Sequence, residues 1–160
     1  MRNILDETDK KIVSTISSNA RISAKNLAEK LNIHHNTVIH RLKRLEERGV
    51  ISGYSTCFDY GLLGYDPQVV IMIKIKGARP GDASQLKDVL TMDGLEAIYS
   101  TTGVWDVISF WRVKDKDHLN NVIREIVANP FITRTISQIV LHTYKNPYQF
   151  NPFPIQKQIK

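Results

Sequence analysis

Cysteine is almost missing from this sequence, which carries only Cys57 among its 160 residues. A single cysteine can form neither an internal disulfide nor a cysteine-cluster zinc site. Long apolar runs are also missing, because the longest wholly apolar segment, 69–73, has five residues and is too short for a membrane-spanning helix. The charged opening of the chain does not resemble a secretory signal. We therefore expect a reduced, cytoplasmic protein with no membrane segment, metal or cofactor.

Acidic residues are outnumbered in this chain, with 16 Asp and Glu against 22 Lys and Arg, a net charge of +6 and a pI near 9.5. The excess is uneven: the first 58 residues carry a net charge of +4, whereas the remaining residues carry only +2. A basic charge concentrated in one part of a chain is typical of a nucleic-acid-binding domain. The change in charge and in periodicity near Asp59 predicts a domain boundary.

Apolar residues at helical spacing predict three short helices in the first part of the chain. The first begins at Asp6 or Thr8, and Asn19 stands where a left-handed residue often ends a helix. The second begins at Ser23, whose hydroxyl suits an N-terminal cap. A turn of a few residues then leads into the third, over residues 35–48. This spacing is typical of a helix-turn-helix.

The third helix has the composition of a DNA-reading helix, in which one face carries polar and cationic residues and the other carries the core stripe. The candidate DNA-binding residues are His34, His35, Asn36, Thr37, His40, Arg41, Lys43 and Arg44. Asn pairs well with adenine and Arg with guanine, whereas cations further along such a helix contact phosphates. The alternative is a solvated surface helix whose charges serve solubility. The histidine spacing does not suit a metal site.

The rest of the chain alternates between strand and helix patterns. The predicted order is strand 68–76, helix 81–92, strand 95–101, strand 104–113, helix 115–128 and strand 131–144. This βαββαβ order predicts a ferredoxin-like fold, so the whole chain is of the α+β class. Residues 50–54 predict an additional strand leading out of the helix-turn-helix.

These patterns divide the chain into four parts. The predicted parts are a helix-turn-helix domain over 1–52, a connecting strand and linker over 53–66, a ferredoxin-like domain over 67–145 and a C-terminal tail over 146–160. The tail contains several prolines and aromatic residues, and we expect it to be extended.

Four stretches of the sequence resemble the Lrp/AsnC family of leucine- and asparagine-responsive regulators. They are residues 5–12 (LDETDKKI), 19–28 (NARISAKNLA), 37–54 (TVIHRLKRLEERGVISGY) and 102–106 (TGVWD). The resemblance extends from residue 5 to about residue 145. It implies an N-terminal helix-turn-helix domain that is winged-helix-like. It also implies a C-terminal βαββαβ domain that binds an amino acid and assembles dimers into tetramers or octamers. The pair His34-His35 departs from the Ser-Pro often found at that point in the family.

The resemblance also implies a small-molecule effector site near the 102–106 turn. The candidate effector-binding residues are Thr102, Gly103, Val104, Trp105, Asp106, Thr133, Thr135 and Ser137. A glycine turn exposes backbone donors for a carboxylate, and Asp106 has acceptors for an ammonium group. The alternative is a plain hairpin turn followed by a strand with surface hydroxyls.

We expect a sequence-specific, DNA-binding transcriptional regulator that responds to an amino acid and is not an enzyme. One alternative is an enzyme on the same scaffold, similar to haem-pathway decarboxylases, although no nucleophile–base pair or phosphate loop is evident. The other is an architectural DNA-binding protein that needs no effector.

Overall fold

The structure is a computed structural model that describes residues 5–147 and 150–153. It contains two units. The helical unit comprises the described residues up to Cys57 together with those from Tyr144 onward, and the sheet unit comprises Phe58–Thr143. None of the helices in these described residues is long and apolar enough to cross a membrane. The predicted boundaries at residues 52, 66 and 145 remain predictions.

The helical unit contains three helices, as predicted. They are α1 (Glu7–Ser18), α2 (Ala24–Leu31) and α3 (His35–Glu47). Each helix contributes to one apolar core of buried side chains, which are Ile12, Leu27, Ala28, Val38 and Leu45. These residues occur at helical spacing because each helix can bury only one face against the other two.

Side-chain caps set the beginnings of these helices. The carboxylate of Asp6 accepts the backbone N–H of Asp9, and the Asp9 side chain accepts the N–H of Asp6, which forms a capping box at α1. Ser23 caps α2, as predicted. The prediction that Asn19 is left-handed is wrong, because its φ is −152°. The left-handed residue is Asn32, with φ of 52°, at the turn between α2 and α3.

The predicted strand over residues 50–54 is not formed in the structure. The chain leaves α3 through Gly49, at φ of +68°, and continues without regular structure. A strand needs a partner for its backbone groups, and the described strands of this chain pair only within the sheet unit. The Tyr54 hydroxyl instead donates to Glu46 at 2.8 Å, which fastens this segment to the end of α3.

The sheet unit contains a four-stranded antiparallel sheet with the order β2-β3-β1-β4. The strands are β1 (Gln68–Ile75), β2 (Leu95–Ser100), β3 (Val107–Arg112) and β4 (Ile132–Ile139). The short helix α4 (Lys87–Leu90) follows a 3₁₀ turn (Ser84–Leu86), and α5 (Lys116–Ala128) connects β3 to β4. This arrangement confirms the predicted ferredoxin-like βαββαβ fold.

One face of the sheet forms the core of this unit. Alternate residues of β1 and β3 are buried, among them Val69, Ile71, Ile73 and Trp111, and they pack with Val122 and Ile126 of α5. Two linked hydrogen bonds lie among these apolar side chains. The indole N–H of Trp111 donates to the hydroxyl of Ser109 at 2.8 Å, and that hydroxyl donates to the Ile71 carbonyl. Ser109 therefore satisfies a buried donor that would otherwise destabilise the core.

Three predicted elements of this unit are longer than the observed ones. The predicted helix 81–92 is wrong in its first residues, because Gly81 is left-handed at φ of +82° and helical structure begins only at Ser84. The strand predicted over 104–113 begins at Val107, because the preceding residues close a turn. The strand predicted over 131–144 ends at Ile139, since its partner β1 begins directly after Pro67.

Candidate functional site

The exposed face of α3 contains most of the predicted DNA-binding residues. The exposed members are His34, His35, Asn36, Thr37, His40 and Lys43. Asn36, His40 and Lys43 are spaced four and three residues apart, so they lie along one line of the helix surface. His34 caps α3, since its Nδ1 accepts the backbone N–H of Asn36 at 3.2 Å. The first turn of α3 therefore presents amide and imidazole groups to solvent.

Arg41 and Arg44, the other two predicted DNA-binding residues, turn toward α1 instead. A nitrogen of Arg41 lies 2.9 Å from Asp9 and 2.6 Å from Asp6. A nitrogen of Arg44 lies 2.7 Å from the second oxygen of Asp9. The side chain of Asp9 is only 1% exposed, whereas those of Arg41 and Arg44 are 24% and 41% exposed. The structure therefore places both guanidinium groups in ion pairs within the helical unit, where sequence reasoning assigned them to DNA.

This ion-pair cluster fixes α3 against the first turn of α1. A buried carboxylate costs much solvation energy, which Asp9 recovers from two guanidinium groups and a backbone N–H. Hydrogen bonding to Arg41 lowers the pKa of the Asp6 carboxyl below its usual value. The stabilisation from this shift is present above the usual carboxyl pKa of about 4 and is lost as the pH falls through the lower folded value.

Sequence reasoning missed the role of the two acids because they also suit a helix cap. Asp6 and Asp9 are three residues apart at the start of α1, which is the spacing of a capping box. Their pairing with arginines more than thirty residues away requires the tertiary fold. The one local signal is that Arg41 and Arg44 are also three residues apart, which places both on the same helix face.

The turn predicted to bind the effector lies between β2 and β3. Gly103 has φ of +104°, and there is open space where its Cβ would be. Thr102, Gly103 and Val104 are exposed. The Thr101 N–H donates to the Asp106 carbonyl, and the Thr101 hydroxyl donates to the Trp105 carbonyl. These two bonds close the turn and leave its tip free of regular pairing.

Asp106 binds its own sheet in this structure. Its carboxylate accepts the backbone N–H of Ile75 at 2.8 Å and the ammonium group of Lys74 at 2.9 Å. The Ile75 bond, followed by the Lys74 bond, lowers the pKa of Asp106 below its usual value. Both carboxylate oxygens are thus engaged at the end of β1.

A pocket of about 210 Å³ opens beside Asp106. Its apolar wall is formed by Ile75, Ala78, Leu86, Leu90, Ile98 and Val107, and its polar rim includes Arg79, Asp82, Gln85, Ser100, Thr101 and Asp106. Arg79 is the one cationic residue of this lining. Asp106 is also the only predicted effector residue that lines the pocket. Sequence reasoning assigned no binding role to the 78–83 segment and placed its last three residues in a helix.

The predicted hydroxyl residues of β4 do not reach this pocket. Thr133 donates to the Lys74 carbonyl at 3.1 Å, and β4 lies at the sheet edge opposite β2. Thr135 and Ser137 pair with Ile73 and Ile71 of β1, so they lie on the helix-covered side of the sheet. Trp105 packs near the Arg134 guanidinium, whose centre is 5.5 Å from the ring centroid. Of the eight predicted effector residues, the structure thus brings Asp106 to the pocket, whereas Trp105 and the β4 hydroxyl residues lie elsewhere on the sheet.

Comparison with known protein families matches both parts of the chain. A model described as "Winged helix-turn-helix DNA-binding" matches residues 5–52, and one described as "Lrp/AsnC ligand binding domain" matches residues 68–150. Together with the exposed face of α3, these matches define the protein as a DNA-binding transcriptional regulator.

Relatives and solved structures agree along nearly the whole chain. An uncharacterised HTH-type transcriptional regulator of Pyrococcus abyssi is 30% identical, and the alignment covers 93% of this chain and all of that protein. AsnC of E. coli is 25% identical with a TM-score of 0.77, covering 89% of this chain and 96% of AsnC. A feast or famine regulatory protein of M. tuberculosis, solved in complex with L-methionine, is 26% identical with a TM-score of 0.81, covering 92% and 99%. The chain belongs to the Lrp/AsnC family.

The contacts of Asp106 predict that it stabilises the sheet unit. The change Asp106→Ala removes an acceptor from the Ile75 N–H and a partner from Lys74, so we expect a loss of about 1.5–3 kcal/mol in the free energy of unfolding. Since the folded pKa of Asp106 is lowered, this difference should be full at neutral pH and shrink as the pH falls well below about 4, because the protonated carboxyl loses its attraction for Lys74. Urea unfolding at several pH values measures both effects.

The control is Glu125→Ala, which removes an exposed acid from α5. An Asp106→Ala protein as stable as the parent at neutral pH would show that these bonds contribute nothing. The Asp106 carboxylate of the parent protein would then be available for a ligand.

Proposed function

We propose that this regulator reads DNA through the first turns of α3 and responds to an amino acid held in the pocket beside Asp106. The observation that carries this proposal is that α3 has two sets of polar residues, one paired with α1 and one exposed. Arg41 and Arg44 are held by Asp9, whereas Asn36, His40 and Lys43 remain exposed along one line. One set of residues holds the helix, and the other is available to DNA.

The exposed residues differ in the contacts that they suit. His35, Asn36 and Thr37 belong to the N-terminal turn of α3, the part of a recognition helix that meets base edges. The Asn36 amide suits the paired donor and acceptor of adenine. Lys43 lies two turns further along, and 72% of its side chain is exposed, which suits a phosphate contact without base preference. Arg41 and Arg44 hold this surface in place through their ion pairs with Asp9 of α1.

The pocket has the chemistry of a site for a small zwitterion. Arg79 offers a guanidinium group for a carboxylate, and the exposed Asp82 offers acceptors for an ammonium group. The apolar wall supplies room for an aliphatic or thioether side chain. The methionine complex of the M. tuberculosis relative supports an amino-acid ligand here. We therefore propose that the effector contacts the 78–83 segment and not the β4 hydroxyls.

The pocket favours the proposed function over the two alternatives. An architectural DNA-binding protein has no need of a pocket with an apolar wall and a charged rim. An enzyme similar to the haem-pathway decarboxylases would have to hold an acidic tetrapyrrole, and the pocket offers Arg79 as its one cation. Membership of a family of transcriptional regulators also favours regulation over catalysis.

We further propose that the protein acts in the cytoplasm as a homo-oligomer, with dimers that can assemble into tetramers or octamers. The sheet supports pairing, since α5 covers one face and the other face presents half-buried apolar residues. They include Val70, Met72, Ile108, Phe110 and Ile136. Two-fold pairing would let two recognition helices reach successive turns of the major groove.

The proposed roles on α3 predict different effects of two substitutions on DNA binding. Asn36→Ala should weaken binding to selected DNA by about 1–3 kcal/mol while leaving non-specific binding intact. Lys43→Ala should weaken binding to all sequences alike and reduce the salt dependence by about one phosphate contact. Gel-shift titrations at several salt concentrations, on fragments selected by the protein from a random pool, measure both.

The matched control is Lys116→Ala, which removes an exposed lysine from the sheet unit. If Asn36→Ala and Lys43→Ala both bind like the control, then α3 is not the reading surface.

The pocket predicts that a panel of amino acids including L-methionine contains a ligand for the parent protein. Arg79→Gln should weaken its binding about 10- to 100-fold, because a charge-assisted hydrogen bond contributes about 1.5–3 kcal/mol. The control Arg124→Gln removes an exposed arginine of α5 that does not line the pocket. Calorimetric titration measures the affinities. If no amino acid binds the parent at millimolar concentration, the effector part of the proposal is wrong.

A further inference from the structure

The C-terminal segment returns to the helical unit after the sheet is complete. The chain leaves the sheet unit after Thr143, and the described residues beyond that point group with the helices. Asn151 makes the contact: its side-chain amide donates to the carbonyl of Ser14 at 3.2 Å and to the hydroxyl of Ser14 at 3.1 Å. A single side chain of the tail thus binds both oxygens of one residue of α1.

Both residues of this contact are held by their surroundings. The Asn151 side-chain carbonyl accepts the backbone N–H of Phe153 at 3.0 Å, so both ends of its amide are engaged. Ser14 is only 3% exposed. The hydroxyls of Thr15 and Ser17 donate to carbonyls of their own helix, whereas the hydroxyl of Ser14 accepts from the tail. Buried polar groups are costly when unpaired, and Asn151 gives Ser14 a partner from outside α1.

A groove beside this contact is lined by Pro152 and by the segment after α3. Its other lining residues are at the end of α1 (Val13, Ile16, Ser17, Ser18), Ala20, residues 50–55 and Cys57. The wall is partly apolar, and Pro152 follows the residue that binds Ser14. Asn151 and Pro152 therefore belong to the surface of the helical unit.

The same helix connects the tail to the recognition helix. Asp9 of α1 holds Arg41 and Arg44 of α3, and Ser14 lies five residues further along α1. The chain also passes between the two units twice, at residues 57–58 and again at 143–144. Asn151 and the two arginines therefore bind the same helix.

We propose that residues 150–153 form a C-terminal strap, which clamps α1 through Asn151 and Ser14 and gives the sheet unit a second connection to the DNA-reading helix. The linker after α3 is the first connection. The strap restrains α1, and through the Asp9 ion pairs it restrains the orientation of α3. Loss of the strap loosens α1 and weakens DNA binding without changing any residue that faces DNA.

The test uses the full-length protein with the change Asn151→Asp. This substitution keeps an acceptor for the Phe153 N–H but removes the donor to Ser14, since the new carboxylate repels the Ser14 carbonyl oxygen and can only accept from the Ser14 hydroxyl. Hydrogen–deuterium exchange of the amides at residues 14–18 should accelerate about two- to tenfold, the effect of losing one hydrogen bond.

The matched control is Asn120→Asp, an equal change of charge at an exposed position of α5. Acceleration in Asn151→Asp but not in Asn120→Asp supports the strap. Unchanged exchange at residues 14–18, or the same acceleration in both variants, overturns it. This readout needs neither DNA nor effector, so failure of the strap is distinguishable from failure of the proposed function. As a second variant, Ser14→Ala removes an acceptor for Asn151 and should accelerate the same exchange, while Ser17→Ala, whose hydroxyl bonds within α1, should not.

Discussion

The ion pairs of the buried Asp9 carboxylate are the interaction on which the position of α3 depends. Asp9 lies in the first turn of α1, and it holds two arginines of α3 at 2.9 and 2.7 Å. Removing one partner of a fully buried ion pair costs about 3–5 kcal/mol, and we expect a smaller loss here, because the arginines are partly exposed and Asp9 bonds to two of them. These ion pairs fix the position of α3 against α1, and with it the orientation of the exposed side chains that we propose to contact DNA.

Much of the fold could be predicted from local patterns. Ser23 caps α2, and the alternation of Val69, Ile71 and Ile73 marks β1, because caps and periodicity depend only on near neighbours in the sequence. Predictions that depended on distant partners were less accurate. The strand after residue 131 was extended too far, since its end is set by where β1 begins, and the segment 50–54 found no partner strand.

The candidate sites show the same division. Sequence identified the exposed face of α3, but the composition of that helix does not reveal that Arg41 and Arg44 turn inward to Asp9. Asp106 is one of the predicted effector-binding residues, and its bonds to Lys74 and Ile75 depend on the pairing of β1 with β3. The pocket combines the 78–83 segment with three strands, and such convergence is visible only in the folded chain.

The most direct test of this account is a double-mutant cycle between Asp9→Asn and Arg44→Gln in the full-length protein. Unfolding by urea, followed by circular dichroism of the helices, gives the coupling free energy between the two side chains. We expect the two changes to be non-additive by more than about 1 kcal/mol, as found for residues that share one buried network. DNA affinity should fall in both single variants, although neither change alters a residue that we assign to DNA contact. Additive effects within about 0.5 kcal/mol, with unchanged DNA affinity, would contradict the account.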